Sequence, residues 1–566
     1  MFKTINNILF SVFSLNLIAI ILIWGDVYSQ NEIVPVSHPI YEYLKIMQIK
    51  RIIPDYNSGM TPISRREVAA YINRIGESRN LTRTEKNQLE DFKIEFEFEL
   101  YNSLNNSVSV LKEFNELSLF GNKKQKYLYN YSDTNATFFW GLTGNLYSLN
   151  EKGDMGDNSI FLGDFGMGIR GTLYNRIGYS LNLFSGKKLG DNNSGLQFAV
   201  DNDPVLKANP DFINGYHNYD FFTGSLRYQT KTNWFSLTLG REALNCGYGY
   251  IDKLFLSNNT TPFDFMMLDL SYKKIKYTFT YGSINGDSVG TPLKSKNIAF
   301  HRLKVQFSDI FKAGYFESVI MSNNPFSFIF FNPISFITSA DLNTGAKETT
   351  DNNTLIGVDF EINPVKNLAL QGSLLIDDIN FSTIFKNDIT SFDNKIGYQI
   401  GTMWASAFNI PDINLNLEYT RLNPFIYSHR SNKDSYTNWG LSLGHDLPPN
   451  SDEIALKLKY QITSRLNINL LYQFQRSAEG IYYDSSKNVI INYGGNINIG
   501  VGDNQINSKF LLGDRINRNI FTINVFFEPI KQYFLEIQYQ YKFQNFIYLS
   551  QISHESYLYA SLKAFL

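Results

Sequence analysis

Gly240, Gly247 and Gly249 surround Arg241, Glu242 and the single cysteine, Cys246, in the stretch GREALNCGYGYIDKLFLSNN. Glycine at that density beside charge could cradle a phosphate, and the thiol could ligate a metal. The spacing supports neither. A P-loop needs G-x-x-x-x-G-K-[ST], and a dinucleotide turn needs G-x-G-x-x-G between a strand and a helix. Gly247-Tyr248-Gly249 runs instead into Tyr250-Ile251-Asp252, with no third glycine and no helical pattern after it. Cys246 has no second cysteine to pair with and no histidine at a ligand spacing, so no metal is expected. The preceding WFSLTLG alternates as a strand, so the glycines mark where that strand turns sharply into a loop, and Cys246 reads as a small buried thiol.

A second concentration of chemistry lies further on. Ser428, His429 and Asn432 in IYSHRSNKD are the residue types of outer-membrane lipid hydrolases. Adjacent residues of an extended segment point to opposite sides, and no nucleophile elbow accompanies them, so no catalytic residue is assigned. Glu418, Arg421, Arg430, His445 and Asp446 lie among the rings of Tyr427, Tyr436 and Trp439. Charged and amide groups beside aromatic faces suit the hydroxyl arrays and apolar C–H faces of sugars. The competing reading is an ion-pair lattice that stiffens a polar lumen.

The elements that would position these groups follow from composition and period. In 566 residues, aromatic side chains reach 15% and charged ones only 18%, with a formal net charge of -2. That balance gives nucleic acid no electrostatic footprint. Lys3 followed by the apolar run Ile8–Trp24 predicts a signal peptide cut near Gln30, hence export. Residues after 30 carry a helical period. Ser64 with Glu67 and Thr82 with Glu85 form capping boxes, Val68, Ile72 and Ile75 share a stripe, and Pro39 opens an earlier helix.

From about residue 128 the period changes to two. In LKLKYQITSRLNINLLYQFQ, Leu456, Leu458 and Tyr460 oppose Lys457, Lys459 and Gln461, then Leu466, Ile468 and Leu470 oppose Asn467 and Asn469. A soluble sandwich or a membrane barrel would both alternate. Aromatic residues recurring near segment ends, as interfacial girdles, favour the barrel, and the terminal YLYASLKAFL suits its closing strand.

Several segments resemble the Wzi-type capsule-assembly family: VSHPIYEYLKIMQIKRII with PISRREVAAYI, GREALNCGYGYIDKLFLSNNTTPFDFMML, HRLKVQFSDIFKAGYFESVIMS, LNLEYTRLNPFIYSHR and YTNWGLSLGHDLPPNSDEIALKLKYQ. The resemblance implies a barrel of roughly eighteen strands blocked by helices and an infolded loop, with a lectin-like role and no catalysis. Arg241, Gly247, Gly249, Tyr250, Ser257 and Asn258 are carried over as structural or lumenal positions. Where the family tends to have tryptophan-glycine-proline-glycine, this chain has Cys246-Gly247-Tyr248-Gly249, which alters the loop and any stacking there. The front segment also looks like the surface-layer-homology pattern, which implies an alternative: a porin tethered to the wall.

The expectation is therefore a mainly β protein: a large antiparallel transmembrane β-barrel over 126–566, a helical periplasmic domain and lead-in over 31–125, and a signal peptide over 1–30. Its place would be the outer membrane of a Gram-negative bacterium. Its partners would be capsular or extracellular polysaccharide, outer-membrane lipid, and cell-wall polymer or export machinery, without nucleic acid or cofactor.

Overall fold

The computed structural model describes residues 30–112, 119–154, 156–286, 295–322, 326–343, 352–379, 394–429, 432–483, 489–499 and 509–566. The signal peptide expected at 1–30 lies outside these, apart from Gln30. Eighteen long strands close a barrel. They are β1 Thr137–Gly153, β2 Gly156–Leu173, β3 Ile177–Leu189, β4 Asn218–Gln229, β5 Phe235–Glu242, β6 Phe263–Tyr272, β7 Ile275–Asn285, β8 Ser295–Gln306 and β9 Phe311–Met321. Then follow β10 Asn353–Val365, β11 Leu368–Ile379, β12 Asn394–Ala405, β13 Ile413–Leu422, β14 Ser451–Thr463, β15 Leu466–Glu479, β16 Asp514–Ile530, β17 Tyr533–Phe546 and β18 Gln551–Phe565. Each pairs antiparallel with its sequence neighbours, and β18 returns to β1 from Glu555↔Gly153 to Phe565↔Thr143. The terminal strand thus removes the edge that hydrocarbon could not satisfy.

Alternation sorts the side chains in the sense a membrane demands. On β5, Leu239 faces out and is 48% exposed, while Thr238 faces the lumen and is fully buried. On β12, Ile400 is 60% exposed and its neighbour Gln399 is buried. An apolar exterior over a polar interior is the reverse of a soluble barrel and matches a lipid-facing wall.

The two ends differ. Connections such as those at Lys273–Lys274, Lys366–Asn367 and Ser464–Arg465 are short, whereas those at 190–217, 243–262, 423–450 and 480–513 are long. Short turns belong to the periplasmic end of such barrels. The helices sit there: α1 Ile40–Ile49, α2 Arg65–Gly76 and α3 Arg83–Glu95. Both capping boxes form, with the Ser64 and Thr82 hydroxyls accepting from the Glu67 and Glu85 amides. Val68, Ile72 and Ile75 join Leu44, Met47 and Phe96 in one small core. Polar contacts dock this unit into the barrel mouth: Lys45 pairs with Glu361, the Lys312 ammonium donates to the Tyr56 carbonyl at 2.6 Å, and Arg465 pairs with Asp91 at 2.6 Å.

One connection lies on the outside of the wall. After β9, the short helix Phe328–Phe331 lies against β7, with Phe331 on Phe279 and Tyr281, and the helix Ile337–Asn343 lies over β9 and β10. Phe328 and Ile334 are 81% and 90% exposed. Beneath them Glu317 accepts from the Ile337 and Thr338 amides at 3.1 and 2.7 Å and pairs with His301 at 2.9 Å.

Candidate functional site

The glycine-rich stretch does end a strand. Beyond Glu242 the chain leaves the wall and descends the lumen until it meets the periplasmic unit: Cys246 pairs with Met60, and the Gly247 amide donates to the Gly59 carbonyl at 2.9 Å. Gly247 has φ of 102°, a conformation that disfavours side chains. Burial pushes the Cys246 thiol up to about 12, so it stays protonated. Wall carboxylates hold the next residues. Asp359 accepts from the Tyr248 amide at 2.9 Å, and Glu418 accepts from the amides of Tyr250, Ile251 and Asp252 at 2.8, 3.3 and 3.3 Å. Fixing four amides on two buried carboxylates converts a loop into a rigid plug.

The loop 423–450 also folds inward and packs on the first. The Tyr427 and Tyr436 hydroxyls donate to the Leu254 and Phe255 carbonyls at 2.6 and 2.8 Å, and the two rings stack 5.7 Å apart. Asp252 is the polar joint. It accepts from the Ser257 hydroxyl, from Asn259 Nδ2 at 2.9 Å and from the Asp446 amide at 2.8 Å, with His445 Nδ1 3.6 Å away.

The plug leaves space on one side. A cavity of about 570 Å³ runs from Asp252, Asn258, Asn259, His445 and Asp446 to Glu453, Gln473 and Gln475 on the wall and down to Glu42 and Lys45 of α1. A second, of about 550 Å³, lies under the outer helix Leu196–Asn202 against Arg518, Gln540, Lys542, Gln544, Glu555 and Tyr557. Both abut one amide-rich wall formed by β14 to β18. In it Glu453 accepts from Gln473 and Gln475 at 2.8 and 2.7 Å, and Gln540 donates to the Thr522 hydroxyl at 3.2 Å. His445 Nε2 is buried beside the first cavity without a hydrogen-bond partner. Burial pushes the Asp446 carboxyl up, with Asp252 adding to the shift. Such surfaces offer donors and acceptors in fixed pairs, and their volumes fall within the range of small-molecule sites.

A sequence profile for the capsule assembly protein Wzi matches residues 193–489, more than half of the chain. The chain belongs to the Wzi capsule-assembly family. No curated protein matches it. Among solved structures it is similar to Wzi of Escherichia coli, described as an outer-membrane protein involved in group 1 capsule assembly and a carbohydrate-binding β-barrel. That similarity has a TM-score of 0.54 at 11% identity over 94% of this chain and 98% of that one, a likeness of fold. OccAB4 of Acinetobacter baumannii covers 77% of this chain and 99% of its own, at 10% identity and a TM-score of 0.42. This Wzi-family barrel is an outer-membrane protein.

The positions expected from the sequence separate into distinct places. Gly249, Tyr250, Ser257, Asn258, His445 and Asp446 line the first cavity, and Glu418 anchors the plug beside it. Arg421 does not join Glu418. The two are an odd number of residues apart on one strand, so Arg421 faces outward, over the Phe510 ring. Arg241 likewise faces away from the lumen and pairs with Asp264 on the outer wall, so of the two roles carried over for it, structural or lumenal, this register leaves the structural one. Tyr427 and Tyr436 are fully buried inside the plug, where their faces meet protein. Trp439 sits apart, at a recess in the wall. Arg430 lies outside the described residues. Ser428 is buried with its hydroxyl toward the Ile497 carbonyl. The sequence reading leaves out Asp252 and the Gln473–Gln475–Gln540 wall; Asn and Gln at alternate positions of β15 and β17 are the available signal.

Proposed function

We propose that this protein binds capsular or related extracellular polysaccharide and holds it at the cell surface, without transforming it. The observation that carries this reading is the amide-rich wall of β14–β18 facing two polar cavities beside a fixed plug. Gln473, Gln475, Gln540 and Gln544 can each give and accept a hydrogen bond, as sugar hydroxyls require, and Tyr557 offers a ring face. His445 Nε2 adds an unspent hydrogen-bonding site. Modest affinity per contact is enough, because a repeating polymer re-engages at high effective concentration. The wall-fixed plug argues against the tethered-porin alternative, since steady conduction would need a continuous path past it.

The test is a strain that carries His445→Ala, Gln475→Ala and Gln540→Ala together, scored for cell-bound against shed polysaccharide. The expected result is shedding, with barrel assembly intact by unheated-gel mobility. Unchanged retention by a fully assembled variant would remove this surface from the function, and steady wild-type current in planar bilayers would favour the porin.

A further inference from the structure

β4 and β5 separate below the outer rim. Their ladder runs only from Gly224↔Arg241 to Gln229↔Ser236, because β5 ends at Glu242 and its chain turns into the lumen. Residues 218–223 of β4 pair with β3, and among the described residues no strand pairs with their other edge. β6 begins only at Phe263, so the wall is notched here. The plug closes the back of the notch: the Asn285 amide donates to Asn438 Oδ1 at 3.0 Å, and the Trp439 amide donates to the Asn285 carbonyl at 3.2 Å.

The notch holds a cavity of about 690 Å³. Trp439 lines its inner side, and Phe165, Met167 and Phe222 line it from the lipid-facing wall. Arg241 and Asp264 form its floor. Arg241 Nε donates to Asp264 Oδ1 at 2.9 Å, and its guanidinium lies 4.4 Å from the Phe222 ring centre. The pair is only partly covered, at 34% and 55% exposure. From the same pair a furrow of about 560 Å³ continues down the outer wall between Leu181, Leu226, Leu239 and Met266.

A salt bridge on the lipid side of a barrel is costly unless polar ligands share it. Here it stands between a recess with an indole and an apolar furrow of acyl-chain character. Asp264 already neutralises Arg241, and Asp220 adds another negative charge to the lining, so a phosphate finds no net attraction. Hydroxyl groups fare better, since the pair offers them donors and acceptors together. We infer that the notch binds a sugar-headed lipid of the outer leaflet, its sugar between Trp439 and the Arg241–Asp264 pair and its chain in the furrow. This site is separate from the lumenal surface and stands or falls independently of it.

The full chain, in a detergent without a sugar headgroup, is titrated with diglucosyl diacylglycerol and, separately, with phosphatidylglycerol of the same chains. Bound lipid is counted by native mass spectrometry. Wild-type protein is expected to take one glycolipid at least about tenfold more tightly than phosphatidylglycerol. Trp439→Asn, which suits the positive φ of 55° there, and the double variant Arg241→Ala/Asp264→Ala should each weaken glycolipid binding about tenfold. Equal binding of the two lipids by wild type overturns the site. So does wild-type glycolipid affinity in Trp439→Asn protein that runs as a folded barrel on an unheated gel.

Discussion

Arg302 on β8 and Asp359 on β10 meet across β9 through two parallel hydrogen bonds of 2.8 Å, and Asp359 simultaneously accepts the Tyr248 amide of the plug. Both side chains are buried, so removing one partner strands a charge. Asp359→Ala should cost about 3–5 kcal/mol and free the tip of the plug. The expected readout is a lower melting temperature together with bursts of current in planar bilayers that wild type does not pass. Wild-type melting and a silent bilayer would mean that the plug is held elsewhere.

Glu418 and Arg421 make a sharper comparison, because they share a strand and differ in face. Glu418→Ala removes the acceptor of three plug amides, at about 1–3 kcal/mol for each that stays buried and unpaired. The plug of that variant should become sensitive to protease in detergent, with loss of polysaccharide retention. Arg421→Ala, on the outer face, should leave both unchanged. Equal effects from the two substitutions would contradict the register.

These parities show what the sequence could and could not say. The step from helical period to period two, the two capping boxes and the closing strand were all readable, because each is set by neighbours a few residues apart. Period two also placed Leu456 and Tyr460 on the lipid side. It could not say where the chain goes once β5 ends. The descent of 243–262 depends on Asp359 and Glu418, which lie more than a hundred residues away. Asp252 is silent in the sequence for the same reason: its importance comes from the Asp446 amide, 194 positions on. Tyr427 and Tyr436 have the composition of a sugar platform, and nothing local distinguishes a ring that faces solvent from one stacked inside a plug.

Lys253 gives the plug a pH signature. Burial, with the nearby charges of Lys45 and Arg302 adding to it and Asp359 opposing, holds its ammonium down to about 8. Unfolded, a lysine titrates near 10.4. Between about 8 and 10.4 the unfolded chain therefore binds the extra proton, and stability rises with pH; below about 8 the penalty is fully present. The melting temperature of wild type should climb relative to Lys253→Met from pH 7.5 to 9.5, other lysines being common to both proteins. Parallel curves would show that this ammonium is not held down.

Glu317 governs the segment that lies outside the wall. Its carboxylate accepts the first two amides of the helix Ile337–Asn343 and pairs with His301, all on the lipid-facing side of β8 and β9. Hydrogen bonds to a charged group contribute about 1.5–3 kcal/mol each, more than the contacts Phe331 makes with Phe279 and Tyr281 at about 0.5–1.5 kcal/mol per ring pair. The carboxylate is therefore the stronger hold, and the exposed Phe328 and Ile334 act as additional anchors in the outer leaflet. Glu317→Ala should release the segment, so that protease added to intact cells cuts within residues 326–343 at least about tenfold faster. Glu317→Gln, which keeps an acceptor and loses the charge, should fall between. If Glu317→Ala is cut no faster than wild type, the rings hold the segment and the carboxylate is secondary.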